Sequence, residues 1–295
     1  MSDGIEDYYR DLRNADSIND VNESDPPEDA PEVPPHVVPS DTPFGRVVNN
    51  NYLKLIEPWM KRSNSKLRFG DGKVVVDTTL LYNSPWIYTQ PAYELDCYFD
   101  TAVLFNCAFK QLHKKWVPAR CQLCFKTVAR PQTLRELFAV LEIQRGMKHW
   151  PSKCGLELRD WVFGNYGAYW YARGLDAGRE CYAEVRDAIN GHPDLGVDVP
   201  VLLKRSCTEM EYTCGASDKW EVTPHQARVE AGVRGIVVID PKHQFMPPHV
   251  DNYTIERWYR HAYNIGDKTV FEYTGGIALH PSYVTYHEQD EETEE

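Results

Sequence analysis

The chain has 295 residues, 42% of them apolar, which is enough to bury the core of one large domain or two modest ones. It has no apolar run of membrane-spanning length and no apolar stretch behind a basic start, so neither a membrane protein nor a secretory leader is expected. The formal net charge of −12 is unevenly placed: residues 1–45 carry −10 and residues 288–295 carry −6, which leaves +4 on residues 46–287.

Residues 1–45 are rich in Asp, Glu and Pro, as in Asp25-Pro26-Pro27-Glu28-Asp29. Such a segment buries too little apolar surface to offset its ordering entropy, so it reads as a disordered arm, either solubilising or able to dock a protein partner. The tail 288–295 reads the same way, and 46–287 as a single α+β domain. Residues 52–60 suggest a short helix or turn broken by Pro58. Leu67–Phe69 and Val74–Val76 flank Gly70-Asp71-Gly72-Lys73, a hairpin signal. Residues 98–115 carry apolar side chains on most sides and end in His113-Lys114-Lys115, which predicts a buried helix with cations at its C-terminus.

Phe125–Ala129 has strand character and stops before Pro131. Thr133 and Glu136 make a capping box, followed by Leu134, Leu137, Phe138 and Leu141 on one helical face as far as Gly146. Residues 156–162 alternate as a strand, 163–167 form a Gly/Asn turn, and Ala168–Ala172 form an aromatic strand. Asp176 is a candidate cap for a helix bearing Tyr182, Val185 and Ile189, and 200–204 is a short strand. The order strand, helix, strand, strand, helix, strand matches a ferredoxin-like, split βαβ core at about 121–205. Further along, Thr223 and Pro224 open a helix, 236–239 is a buried strand, 251–264 an aromatic helix and 270–273 a last strand. No internal repeat is present.

There are eight cysteines. In a reducing cytoplasm, the expected location, close cysteine spacing favours metal over disulfide chemistry. In a split βαβ unit the starts of strands one and two and the end of strand four share an edge. Cys121 and Cys124 would stand at the first start, Cys154 at the second and Cys207 past the fourth end, with Cys214 a substitute. Four thiolates suit tetrahedral zinc, and Cys-x-x-Cys is a common half-site. An iron–sulfur cluster is the second choice, since no Cys-x-x-Cys-x-x-Cys run occurs. A redox dithiol is disfavoured because a strand, not a helix, follows Cys124. Cys97, Cys107 and Cys181 read as core residues, and His243, His249 and His261 lack ligand spacing.

Residues 110–160 carry +7. Lys114, Lys115, Arg120, Lys126, Lys153, Lys204 and Arg205, with Tyr169 and Tyr171, would form a basic, aromatic face able to neutralise phosphates and stack bases. Over about eight residues, Gly164–Tyr171 partly resembles the RNA-recognition-motif signature; it lacks the leading basic–Gly pair and has Ala168 where an aromatic belongs, so that family's function is not carried over.

No P-loop, Gly-x-Ser-x-Gly elbow, His-Glu-x-x-His or dinucleotide fingerprint occurs. The expected function is therefore a metal-stabilised protein that associates with nucleic acid. One alternative is a divalent-metal nuclease or phosphoryl-transfer enzyme using Glu209 and Glu211, which would alternate on one strand face. Another is a structural or assembly protein, such as a phage virion component, that uses its arm to hold neighbours.

Overall fold

Among the described residues, two sheets and two large buried clusters organise the fold. The structure, a computed structural model, describes residues 51–62, 66–70, 73–77, 84–89, 97–160, 162–239 and 248–277. The expected arm, the tail, and His243 lie outside the described residues. All described residues fall in one unit, Val37–Glu295. It is mixed α and β, as composition and patterning predict.

The smaller core gathers α1 (Asn51–Arg62), β1 (Lys66–Gly70), β2 (Lys73–Asp77), α2 (Phe99–Ala108), α8 (Pro224–Ile236) and β8 (Val237–Ile239). The β1–β2 hairpin closes with Gly70 opposite Lys73, and β8 adds to β2 in parallel. Pro58 lies inside α1 and does not end it, because Ile56, Trp59 and Met60 are buried in this core and packing outweighs the lost hydrogen bond. The predicted buried helix is present with a wider winding: α2 is a π-helix that continues as the short α3 (Phe109–Gln111).

The larger core is built on a five-stranded sheet of β3 (Trp86–Tyr88), β4 (Cys124–Ala129), β5 (Ser152–Leu156), β6 (Tyr166–Arg173) and β7 (Val201–Arg205). Its order is β3-β5-β6-β4-β7 and every neighbouring pair is antiparallel. Between β4 and β5 runs α5 (Leu134–Gly146); between β6 and β7 runs α6 (Leu175–Gly191). α5 lies against β5 and β6, and α6 against β4, β6 and β7. The Thr133 half of the α5 capping box forms as predicted, with Thr133 Oγ1 accepting from Glu136 N; the Glu136 carboxylate accepts from Gln132 N, one residue before the cap, at 2.6 Å. Gly178 lets α6 seat closely: a Cβ there would stand 2.8 Å from Phe125 Cβ. α9 (Pro248–Asn264) closes the far edge over β3 and β5.

Three predicted elements differ. The strand expected over 156–162 is β5 at Ser152–Leu156; Glu157 N donating to Asn165 O extends its register with β6 by one step, and the chain then turns, with Val162 N donating to Arg159 O. Asp176 does not cap α6, whose N-cap is Gly174 at φ 90°. Residues 270–273 form a helical turn, α10 (Val270–Tyr273), rather than a strand. Asp267 imposes it by accepting from Thr269 N and Thr269 Oγ1, a local turn that leaves no extended segment to pair.

Candidate metal centre

Alternation along the strands divides the sheet into two unlike faces. Ala129, Ala168, Trp170 and Ala172 face the helices and join the large core. Val128, Tyr169 and Tyr171 pack together on the other side, with Cys124 and Trp86 against them. Lys126 shares this second face, directly opposite Lys204 on β7 and Tyr171 on β6.

The cysteine edge lies where β4 begins. Cys121 sits on α4 (Ala119–Gln122), buried with Phe105, Val117 and Met210, and with Cys207 and Cys214 packed against that group. α4 is held in place through buried polar contacts: Ala119 N donates to Glu230 Oε1 at 2.9 Å, and Gln226 Nε2 donates to Val117 O at 2.7 Å. Burial pushes the Glu230 carboxyl up to about 7. Cys124 opens β4. Ser206 N donates to Cys124 O at 2.8 Å, which binds the end of β7 to the start of β4. Ser206 adopts a left-handed conformation, φ 54°, and so turns the chain back; Cys207 follows as the N-cap of α7 (Thr208–Cys214). A cavity of about 30 Å³ opens here, lined by Cys97, Cys121, Cys124, Asp100, Arg120 and Arg173 among others.

Cys121, Cys124 and Cys207 are thus brought together. Cys154 is not. It pairs with Ala168, which pairs with Ala129, whereas Cys124 pairs with Arg173. That is five residues along the strands, roughly 17 Å at the usual rise of about 3.4 Å. It also faces the helices, fully buried beside Ile87 and Leu156. The physical cause is the earlier start of β5, which makes Cys154 a mid-strand residue. Cys97, expected in the core, instead lines the cavity next to Cys121 and Cys124. It lies in the turn of helix that leads into α2, far from the Cys-x-x-Cys pair in sequence, and no spacing rule would single it out.

None of the eight cysteines is in a disulfide. Burial, then Asp100, Cys97, Cys207 and Cys124, hold the Cys121 thiol well above the ordinary range. Among the described residues no group of three or more His, Cys, Asp or Glu is placed to hold a metal ion. Asp100 is engaged elsewhere, paired with Arg234 and with Arg120 Nε at 3.5 Å.

The basic and aromatic residues are distributed unlike an open binding face. Lys126 is buried, its Nζ 3.4 Å from Cys207 Sγ and 5.7 Å from the Tyr169 ring. Burial alone would lower its pKa, but Cys207, Cys124, Tyr169 and Cys97 together raise it. Tyr169 is buried and its hydroxyl donates to Glu157 Oε2 at 2.6 Å while accepting from Arg159 at 3.2 Å. Tyr171 is also buried. Lys204 donates to Thr208 Oγ1 at 2.9 Å and Glu211 Oε2 at 3.2 Å, and Arg205 to Gln122 O at 2.6 Å. Lys153 Nζ lies 5.0 Å from the Trp86 ring and 5.3 Å from Tyr88. Lys114 is half-buried 5.9 Å from the Trp116 ring, and Lys115 is exposed. Arg120 is anchored on Asp100.

Glu209 and Glu211 lie on helix α7, not on a strand. Two residues apart on a helix they do not share a face, and Glu211 already binds Lys204 and Ser217. The carboxylate that the structure brings forward in their place is Glu157. It is buried, and although burial alone would raise its pKa, hydrogen bonds from Arg159 and Tyr169 hold it low. No helix among the described residues is long and apolar enough to cross a membrane.

Compared with protein-family models, with curated proteins and with solved structures, the chain matches none.

Proposed function

We propose that this chain is a metal-stabilised cytoplasmic protein that associates with nucleic acid, built on a ferredoxin-like core. The observation that carries the metal part is the meeting of the Cys121/Cys124 pair with Cys207 at one end of the sheet, from two separate stretches of chain. The strand order β5-β6-β4-β7, with one helix after β4 and another after β6, supports the split βαβ core. Zinc is the preferred ion. It takes thiolate ligands in a tetrahedral site, and the chain has no Cys-x-x-Cys-x-x-Cys run of the kind that holds an iron–sulfur cluster.

The nucleic-acid part narrows to the residues that solvent can reach. Lys115 and Arg173 are exposed, with Lys114 and Lys153 partly so. Lys126, Tyr169 and Tyr171 are buried and hold the face together from within. Contact would therefore be with phosphates, not by stacking, and would be strongly salt-dependent. The test is fluorescence anisotropy of the full chain with a single-stranded oligonucleotide across a salt series. Binding should weaken steeply with salt and fall further in a Lys114→Glu/Lys115→Glu variant. Salt-insensitive binding, or none at low salt, overturns this part.

A further inference from the structure

We infer that the metal site is completed by Cys97 rather than Cys154, as a four-thiolate set of Cys97, Cys121, Cys124 and Cys207 with the Lys126 ammonium donating to the Cys207 sulfur. This rests on the proposed metal centre and specifies its ligands.

Three of the four thiols, Cys97, Cys121 and Cys124, line the same cavity, and the fourth, Cys207, packs against the buried cluster that contains Cys121. The Ser206–Cys124 backbone hydrogen bond fixes Cys207 beside Cys124 independently of any side chain. Cys154 is excluded by face and by register.

The charge balance points the same way. Lys126 is 5% exposed, its cross-strand neighbour on the same face is another lysine, and Lys204 alone has a carboxylate partner. A buried ammonium needs a counter-charge, and like charges directly opposite on a sheet repel. Four neutral thiols supply none. When a divalent ion displaces one proton from each thiol, the four protons leave to solvent and the site becomes a dianion. Lys126, already donating to Cys207 Sγ, then neutralises part of it, with Arg173 and Arg120 on the cavity wall. Ligand sulfurs held by outer donors are the usual support of such sites.

The experiment measures metal in full-length protein purified under reducing conditions and reconstituted with zinc or cobalt, by elemental mass spectrometry and thiolate–cobalt absorption. The wild type should hold one ion per chain. Cys154→Ser should hold it too. Cys97→Ser and Cys124→Ser should bind at least tenfold more weakly, and the thiolate–cobalt band of Cys97→Ser should lose about a quarter of its intensity, one ligand of four. Alkylation mapping of the wild type covers the case of a variant that misfolds. Chelation should unmask Cys97 in step with Cys124 and Cys207, and leave buried Cys154 unchanged. A wild type with no metal sinks the metal centre itself. A loaded wild type in which Cys97→Ser binds equally well, or Cys97 alkylates regardless of chelator, sinks only this ligand set.

Discussion

On one side of the five-stranded sheet, β4 and β6 present Ala129, Ala168, Trp170 and Ala172 to two helices; on the other, the same two strands present Cys124, Lys126, Tyr169 and Tyr171. Both faces are buried, yet they are held by different physics. The helix face is apolar packing, non-directional and additive in area. The opposite face is a chain of directed contacts, Arg159 and Tyr169 to Glu157, Lys126 to Cys207, Lys204 to Glu211. Burying such groups is favourable only if each is satisfied, so this face is specific where the first is merely stable.

The largest expected effect tests the apolar face. Trp170 is fully buried in the large core. Trp170→Ala should lower unfolding free energy by about 3–5 kcal/mol in urea titration. It should leave metal stoichiometry intact wherever the protein remains folded. Next is Glu157→Gln on the polar face. It leaves Arg159 and Tyr169 without their anion, at about 2–3 kcal/mol near neutral pH. The sign with pH follows from the lowered pKa of Glu157. Its contribution is complete above the ordinary carboxylate value of about 4.3 and is lost as pH falls through the lower folded value. The gap between wild type and variant should therefore shrink below that pH. A gap constant down to strong acid would mean that Glu157 is not the ionised hub of this face.

Lys126→Met separates the two descriptions more sharply, though the change is smaller. In metal-free protein it removes a buried ammonium whose one hydrogen-bond acceptor is a thiol. Its neighbours hold its pKa up despite burial, so its charge contributes stability and the variant should be less stable by about 1 kcal/mol. In metal-loaded protein it removes an outer-shell donor, and affinity for zinc should fall about 10–100-fold. Competition with a chelator reads the second quantity and thermal unfolding the first. A gain of stability in the metal-free state would mean that the sulfurs and Tyr169 give the buried Lys126 no favourable partner on this face.

These contrasts also explain what could be read from the chain beforehand. The hairpin, the Thr133 cap, the Thr223 cap and the helix over 251–264 are set by neighbours within a few residues, and the structure contains all of them. Cys121, Cys124 and Cys207 were legible because each lies at an element end. Cys154 was not, because a strand boundary displaced by four residues, Ser152 rather than Leu156, moves a side chain from the edge of a sheet to its middle. Cys97 was invisible for the opposite reason. Nothing local marks it; it reaches the cavity because the helix it leads into meets α4, through Phe105 in one cluster with Cys121 and through the Asp100–Arg120 pair. The burial of Lys126, Tyr169 and Tyr171 was equally hidden, since a Lys/Tyr alternation reads the same whether a face is covered or open.

The smallest expected effect concerns the turn that joins the two faces at the cysteine edge. Ser206 holds φ 54°, a region that costs a non-glycine residue about 1 kcal/mol. Two contacts offset it, from Ser206 N to Cys124 O and from Ser206 Oγ to Met210 Sδ at 3.1 Å. Ser206→Gly keeps the backbone bond, loses the weak sulfur contact and removes the steric strain, while raising the entropy of the unfolded chain. The opposing changes should nearly cancel, leaving thermal stability within about 0.5 kcal/mol of wild type. Ser206→Val keeps none of these advantages, because a β-branched residue resists positive φ. It should destabilise by about 1–3 kcal/mol and weaken metal binding with it, because Cys207 is the next residue. If valine were tolerated with full metal affinity, the turn would not be what delivers Cys207 to the other thiols.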